Sequence, residues 1–117
     1  MIPSSLEINP AGAAWELPET LQHLALTGDA ELVAEIIAMF KTDTARRLGI
    51  LREALSQLDG TRVKEQAHAI KGSAVQVGAN SLAALCQRIE LDTRTRPCQE
   101  LEGLVRQAEI DFASLCK

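Results

Sequence analysis

The sequence of 117 residues predicts an all-α fold, an antiparallel four-helix bundle with an additional short N-terminal helix. Three observations lead there. Apolar residues recur every three or four positions in five successive segments, the period of an amphipathic helix. No segment keeps up an alternation of period two, so no strand is indicated. Aromatic residues make up 3% of the chain and Tyr is absent, a poor composition for sheets, in which aromatic side chains are enriched. One-sided helices with short connections bury their apolar faces by packing antiparallel. A chain of this length is one domain, long enough to bury about two-thirds of its unfolded surface without disulfides or metals.

Residues 1–14 hold two Pro, a Gly, two Ser and an Asn without any period, and read as a flexible arm ahead of a domain over 15–117, with Trp15 and Leu17 docking on it. Pro18 suits the first turn of a short helix bearing Leu21, Leu24 and Ala25, which Gly28 stops. Asp29 then offers an N-cap and Glu31 a first-turn acid for the longest amphipathic run. Val33, Ile36, Ile37, Phe40, Leu48, Leu51, Leu55 and Leu58 mark it, about 30 residues and ~45 Å if unbroken. Thr44 and Arg47 share that stripe, so its middle is expected to be looser or partly exposed, and Asp59-Gly60 ends it. A third helix over about Thr61–Val77 carries Val63, Ala67, Ile70, Ala74 and Val77. Gly78 breaks it, and Asn80 or Ser81 is the expected cap of a fourth helix with Leu82, Leu85, Cys86 and Ile89. Arg94-Thr95-Arg96-Pro97 forms a joint before the last helix, marked by Leu101, Leu104, Val105, Ala108, Phe112 and Leu115.

Twelve Lys and Arg against sixteen Asp and Glu give a net charge of −4. Such a surface has no reason to condense on phosphate backbones, which argues against nucleic acid and anionic membranes as partners. The scarcity of aromatics removes base stacking as well. Cys86, Cys98 and Cys116 are an odd number without a Cys-x-x-Cys pair, which suits a reducing compartment. The greasiest stretch, Leu32–Phe40, is interrupted by Glu35 and far too short to span a bilayer, and no signal peptide is evident. A cytoplasmic, monomeric domain is expected.

The third helix holds one anomaly. With His68 set at zero on a wheel of about 100° per residue, the five apolar residues fall between roughly −100° and 180°. Lys64, Lys71, Gly72 and Val75 lie within about 60° of the histidine on the opposite half. His68 therefore faces solvent in mid-helix, beside two lysines, a glycine and an exposed valine. A Gly inside a helix costs about 1 kcal/mol relative to Ala. Gly72 either clears room for another molecule beside the imidazole, or is neutral drift or permits close helix packing. A cation one turn away disfavours imidazolium, keeps the ring in its nucleophilic form, and would stabilise an anion placed on it.

The run Ala67-His68-Ala69-Ile70-Lys71-Gly72-Ser73-Ala74, followed by Gly78, Leu82, Leu85, Cys86 and Glu90, resembles the signature of histidine-containing phosphotransfer (HPt) domains. That signature is His-x-x-Lys-Gly with Gly ten residues after the His, Leu at +14, often Cys at +18, and an acid or amide at +22, all of which this chain matches. Gly28-Asp29-x-x-Leu32 and Phe40 match the family's entry into its long helix, extending the similarity over most of residues 18–115. The resemblance implies a phosphorelay intermediate that takes a phosphoryl group from a receiver-domain phosphoaspartate and passes it to another receiver's Asp. His68 would be the phosphoacceptor through Nε2. Lys71 would neutralise the transferred group, Gly72 would admit the receiver's loops, and Ser73 would add a hydrogen bond nearby. Glu90 would accept the Nδ1–H bond and fix the tautomer. No cofactor is implied, because the acyl phosphate and its Mg²⁺ belong to the receiver, and no Gly-rich phosphate loop is present. The chain would be a phosphoryl carrier rather than a kinase.

Receiver docking is expected around His68, with Lys64, Ser73 and Val75 on that surface and Met39 of the long helix extending an apolar patch. Glu65-x-x-His68 has the spacing of a di-iron ligand pair, but His23, the other histidine, has Thr20 in the matching place, so no metal site is expected. The alternative is a helical adaptor that binds a receiver or kinase domain and transfers nothing; such domains lack the histidine. The dimerisation helices of a sensor kinase are disfavoured by Ala69, where an acid is usual.

Overall fold

A computed structural model describes residues 17–117; the arm and Trp15 lie outside the described residues. All regular structure among the described residues is helical: α1 (Glu19–Leu24), α2 (Ala30–Ser56), α3 (Gly60–Val77), α4 (Asn80–Asp92) and α5 (Glu102–Leu115), the last entered through a 3₁₀ turn at Cys98–Leu101. The expected class holds, with four main helices and a short one at the N-terminal end. Helix α2 alone, at ~1.5 Å per residue, runs about 40 Å, most of the 47 Å long axis.

The stripes read from the sequence are the core. Val63, Ala67, Ile70, Ala74 and Val77 of α3 are all buried, against Leu82, Cys86 and Ile89 of α4, Leu48, Leu51 and Leu55 of α2, and Leu101, Val105, Ala108 and Leu115 of the C-terminal segment. Phe40 and Phe112 meet edge to face, ring centroids 6.4 Å apart, tying α2 to α5. Burial pushes the Cys86 thiol up to about 12, with the charge of Asp111 adding to the effect, so this cysteine packs as an unreactive hydrophobe. A fork from Arg52 of α2 holds Glu109 at 2.7 and 3.1 Å and also reaches Glu102, joining α2 to α5 at the surface.

Several local expectations are corrected. Thr44 is fully buried rather than loose, and its hydroxyl has no hydrogen-bond partner among the described residues. Leu58 lies outside the stripe. Helix α2 ends at Ser56, and the amides of Leu58 and Asp59 turn back onto the carbonyls of Leu55 and Ala54, leaving Leu58 exposed in the left-handed region at φ 57. Asp59 belongs to the next helix, its carboxylate accepting from the Arg62 amide. Asp29 stands at the N-cap of α2 but makes no capping bond, and Pro18 is the N-cap of α1 rather than a first-turn residue. Between them Gly28, at φ 105, makes the turn that separates α1 from α2. The N-cap of α4 is Ala79, because the Ser81 hydroxyl donates to Asp111 of α5 instead.

Helices α2 and α3 close with the same pair of backbone bonds, but α3 places Gly78 (φ 76) where α2 places Leu58. A left-handed conformation costs a side-chain-bearing residue roughly 1–2 kcal/mol. Leu58→Gly is therefore expected to raise stability by up to about 1 kcal/mol, part of the gain being returned as unfolded-chain entropy. Chemical denaturation checks this; a loss of stability would mean that the leucine side chain contributes more through packing than its backbone costs.

Candidate functional site around His68

Because the apolar stripe of α3 is turned wholly into the core, its other half is fixed outward, and His68 is held there with its side chain 67% exposed. The two-residue connection at Gly78-Ala79 brings α4 back along α3, so that Glu90, near the C-terminal end of α4, lies beside the histidine. Its carboxylate oxygen Oε2 is 2.9 Å from His68 Nδ1. The other oxygen, Oε1, accepts from Lys71 Nζ at 3.0 Å. The backbone of Glu90 is steadied in turn, its carbonyl accepting from the Thr93 hydroxyl at 2.7 Å.

The charges explain the tautomer. The Lys71 ammonium, and next the hydrogen bond from His68, hold the Glu90 carboxyl below its ordinary value of 4.5 against the opposing effect of burial. An ionised carboxylate only accepts, so Nδ1 carries the proton and the lone pair of a neutral ring is on Nε2. A carboxyl lowered in the folded state contributes stability that is complete above its unfolded value. That contribution is lost as pH falls below about 4.5 through the folded value. The clamp on the ring is thus intact at neutral pH and released in acid.

Lys71 differs from the expectation in one respect. The sequence places it against the imidazole alone, whereas its ammonium is paired with the carboxylate that also holds the ring, so its charge is largely offset there. Gly72 is exposed, and a Cβ built on it meets no heavy atom within 4 Å. Close helix packing therefore does not account for the glycine. Gly49 and Gly103 are equally open, so what sets Gly72 apart is its place one turn beyond His68. Lys64 is half-buried and lines an open groove of about 430 Å³ with Thr61, Glu65, His68 and Glu90. Thr61 and Glu65 were not singled out for this face, although their positions seven and three residues before the histidine put both on it.

Ser73 is not drawn into the cluster; its hydroxyl donates to the Ala69 carbonyl of its own helix at 3.1 Å. Val75 is 57% exposed and Met39 of α2 is 71% exposed, where an apolar surface was expected. Among the described residues no group of three or more His, Cys, Asp or Glu is arranged to hold a metal ion, and no helix is long and apolar enough to cross a membrane.

With this geometry in view, comparison with known proteins is specific. The Hpt domain family model matches residues 35–113, a span that contains His68, Lys71, Gly72 and Glu90. The crystal structure of histidine-containing phosphotransfer protein B from Pseudomonas aeruginosa is similar at a TM-score of 0.69 and 30% sequence identity, over 83% of this chain and 84% of that one. No curated protein matches the chain in sequence. A family match across most of the four main helices, joined to a solved relative aligned over more than four-fifths of both chains, leads to one assignment: the chain belongs to the Hpt domain family, the histidine phosphotransfer modules of phosphorelays.

Proposed function

We propose that His68 accepts a phosphoryl group on Nε2 from the phosphoaspartate of a receiver domain and passes it to the Asp of another. The observation that carries this reading is the exposed ring whose Nδ1 is bound by Glu90 at 2.9 Å, leaving Nε2 directed away from the chain's own acceptor. In the forward step the Nε2 lone pair attacks phosphorus, the bond from phosphorus to the aspartyl oxygen breaks, and its electron pair leaves with the carboxylate. Little covalent chemistry is asked of the carrier, so positioning and charge dominate. Lys71 is the cation available to the transferred group, and the Mg²⁺ that the acyl phosphate requires is supplied by the receiver. Lys64, Ser73 and Val75 belong to the docking face in this reading, with Met39 extending it. The three unpaired thiols suit a reducing cytoplasm, and the domain acts as a monomer.

The test is transfer from a radiolabelled phosphorylated receiver. Label that is labile in acid and stable in base should move onto the protein within the mixing time of a manual assay. Absence of label with every receiver of the source cell would overturn the reading.

Gly72 supplies a sharper version. Gly72→Gln fits the fold, since the site is open, and it gains about 0.5–1 kcal/mol of helix propensity. Transfer from a receiver is nevertheless expected to slow about tenfold, the equivalent of ~1.4 kcal/mol of lost association. Labelling of His68 by a small phosphodonor should continue. A variant that is more stable and equally fast with the receiver would remove Gly72 from the docking surface.

A further inference from the structure

His68 lines its open groove of about 430 Å³ together with Thr61, Lys64, Glu65 and Glu90. Two of those side chains carry opposite charges that are not spent on one another. Lys64 is half-buried, Glu65 is exposed, and neither has an ion-pair partner among the described residues. The remaining charges at the ring are committed, Lys71 to Glu90, and Glu90 to both Lys71 and the imidazole. Arg47 of α2, which reaches α3 at Gln66, is held by Asp43. Resting on the phosphoacceptor role proposed for His68, the geometry points to Lys64 and Glu65 as an opposed pair of charges that sets how firmly the protein holds the phosphoryl group. The balance between them then decides which way the group moves at equilibrium.

Helix geometry places the pair. Lys64 and Glu65 precede His68 by four and three residues, the spacings that bring side chains onto one face. Side chains on a helix lean toward its N-terminus, which carries the ring over the turn that bears both charges. A phosphoryl group on Nε2 brings about two negative charges to that groove near neutral pH. Lys64 lowers the energy of the loaded form and Glu65 raises it, whereas a neutral unloaded ring feels little of either. Outward transfer exchanges the Nε2–P bond for a bond from phosphorus to an aspartyl oxygen, and the electron pair of the broken bond stays on nitrogen. How far that exchange runs depends on the loaded and unloaded forms of each free protein. Contacts made only in the complex speed both directions alike and cancel. A docking role for Lys64 therefore leaves the equilibrium where it is, and a charge felt by the loaded ring moves it.

The experiment labels the full chain with phosphoramidate and compares wild type with Lys64→Gln, Lys64→Arg and Glu65→Gln. Phosphorus-31 chemical shifts give the pH at which the bound phosphoryl group changes its protonation. A nearby cation favours the fully ionised group, so this midpoint should rise by about half a unit in Lys64→Gln, the equivalent of a roughly threefold change in proton affinity. It should fall by a similar amount in Glu65→Gln and stay in place in Lys64→Arg. The equilibrium between the protein and a receiver that labels the wild type should move about threefold toward the receiver in Lys64→Gln, and as far toward the protein in Glu65→Gln. Added salt should shrink both shifts, because the groove is open to solvent. A midpoint or an equilibrium that stays at the wild-type value in both Gln variants would overturn the role given to this pair while leaving His68 as phosphoacceptor. So would a Lys64→Arg protein that follows Lys64→Gln. Failure of phosphoramidate to label the wild-type ring would overturn both.

Discussion

Replacing His68 by Gln is expected to abolish phosphoryl label completely while leaving the circular dichroism spectrum unchanged. The two halves of that result have separate causes. Gln keeps comparable size and a polar end but offers no nucleophilic ring nitrogen, so neither attack on an acyl phosphate nor a phosphoimidazole product is available. The fold is indifferent because His68 contributes nothing to the core; its side chain is 67% exposed and its bond to Glu90 lies at the surface. Substitutions at such positions change stability by about 0.5 kcal/mol or less. Acid-labile label persisting on the variant would have to reside on His23, the only other histidine. That residue is in the last turn of α1 without a lysine-glycine pair behind it, and the assignment of the whole site would fail with it.

The features legible in the sequence are those set by periodicity within one helix. The five apolar residues of α3 fix which way that helix is rotated, and the outward placement of His68, Gly72 and Val75 follows from the rotation without further information. What periodicity cannot supply is the register between helices. His68 and Glu90 are 22 positions apart on different helices, and they were paired only through the family resemblance. The ion pair between Lys71 and Glu90 has no signal in the sequence, since nothing in the spacing of either helix says which side chain a lysine will meet across a groove.

Capping is not legible where a polar side chain has a better partner elsewhere. The position of Ser81 suits a cap, but its hydroxyl donates to Asp111, 30 residues away. Thr44 departs from expectation for a different reason. Polarity suggested exposure, but a threonine carries a methyl group that packs like that of valine, and burial of its neighbours on α2 carried the residue inside. Leu58 continued the stripe on paper past the point at which the helix actually closed, because the acid that follows it caps α3.

Ile70 and Val75 put the rotation of α3 to the strongest test of stability. They are five residues apart, about 140° around the helix. Ile70 is completely buried in the main core cluster, whereas Val75 is mostly in solvent. Ile70→Ala is expected to cost about 2–5 kcal/mol, the lost transfer energy plus that of the cavity left behind. Against a typical total of roughly 5–15 kcal/mol this is a large share, and it should lower the melting temperature by on the order of 10–20 °C. The loss acts on the face away from the phosphoacceptor, so in the cold, where the variant remains folded, labelling of His68 should proceed. Val75→Asp should do the reverse, with a melting temperature within a few degrees of wild type and weaker transfer from a receiver, because a charge would be set into the proposed docking face. The two variants measured side by side by thermal denaturation and phosphotransfer separate packing from recognition on a single helix. If Val75→Asp unfolds the protein and Ile70→Ala does not, α3 is rotated about its axis relative to this structure, and His68 is not where a receiver can reach it.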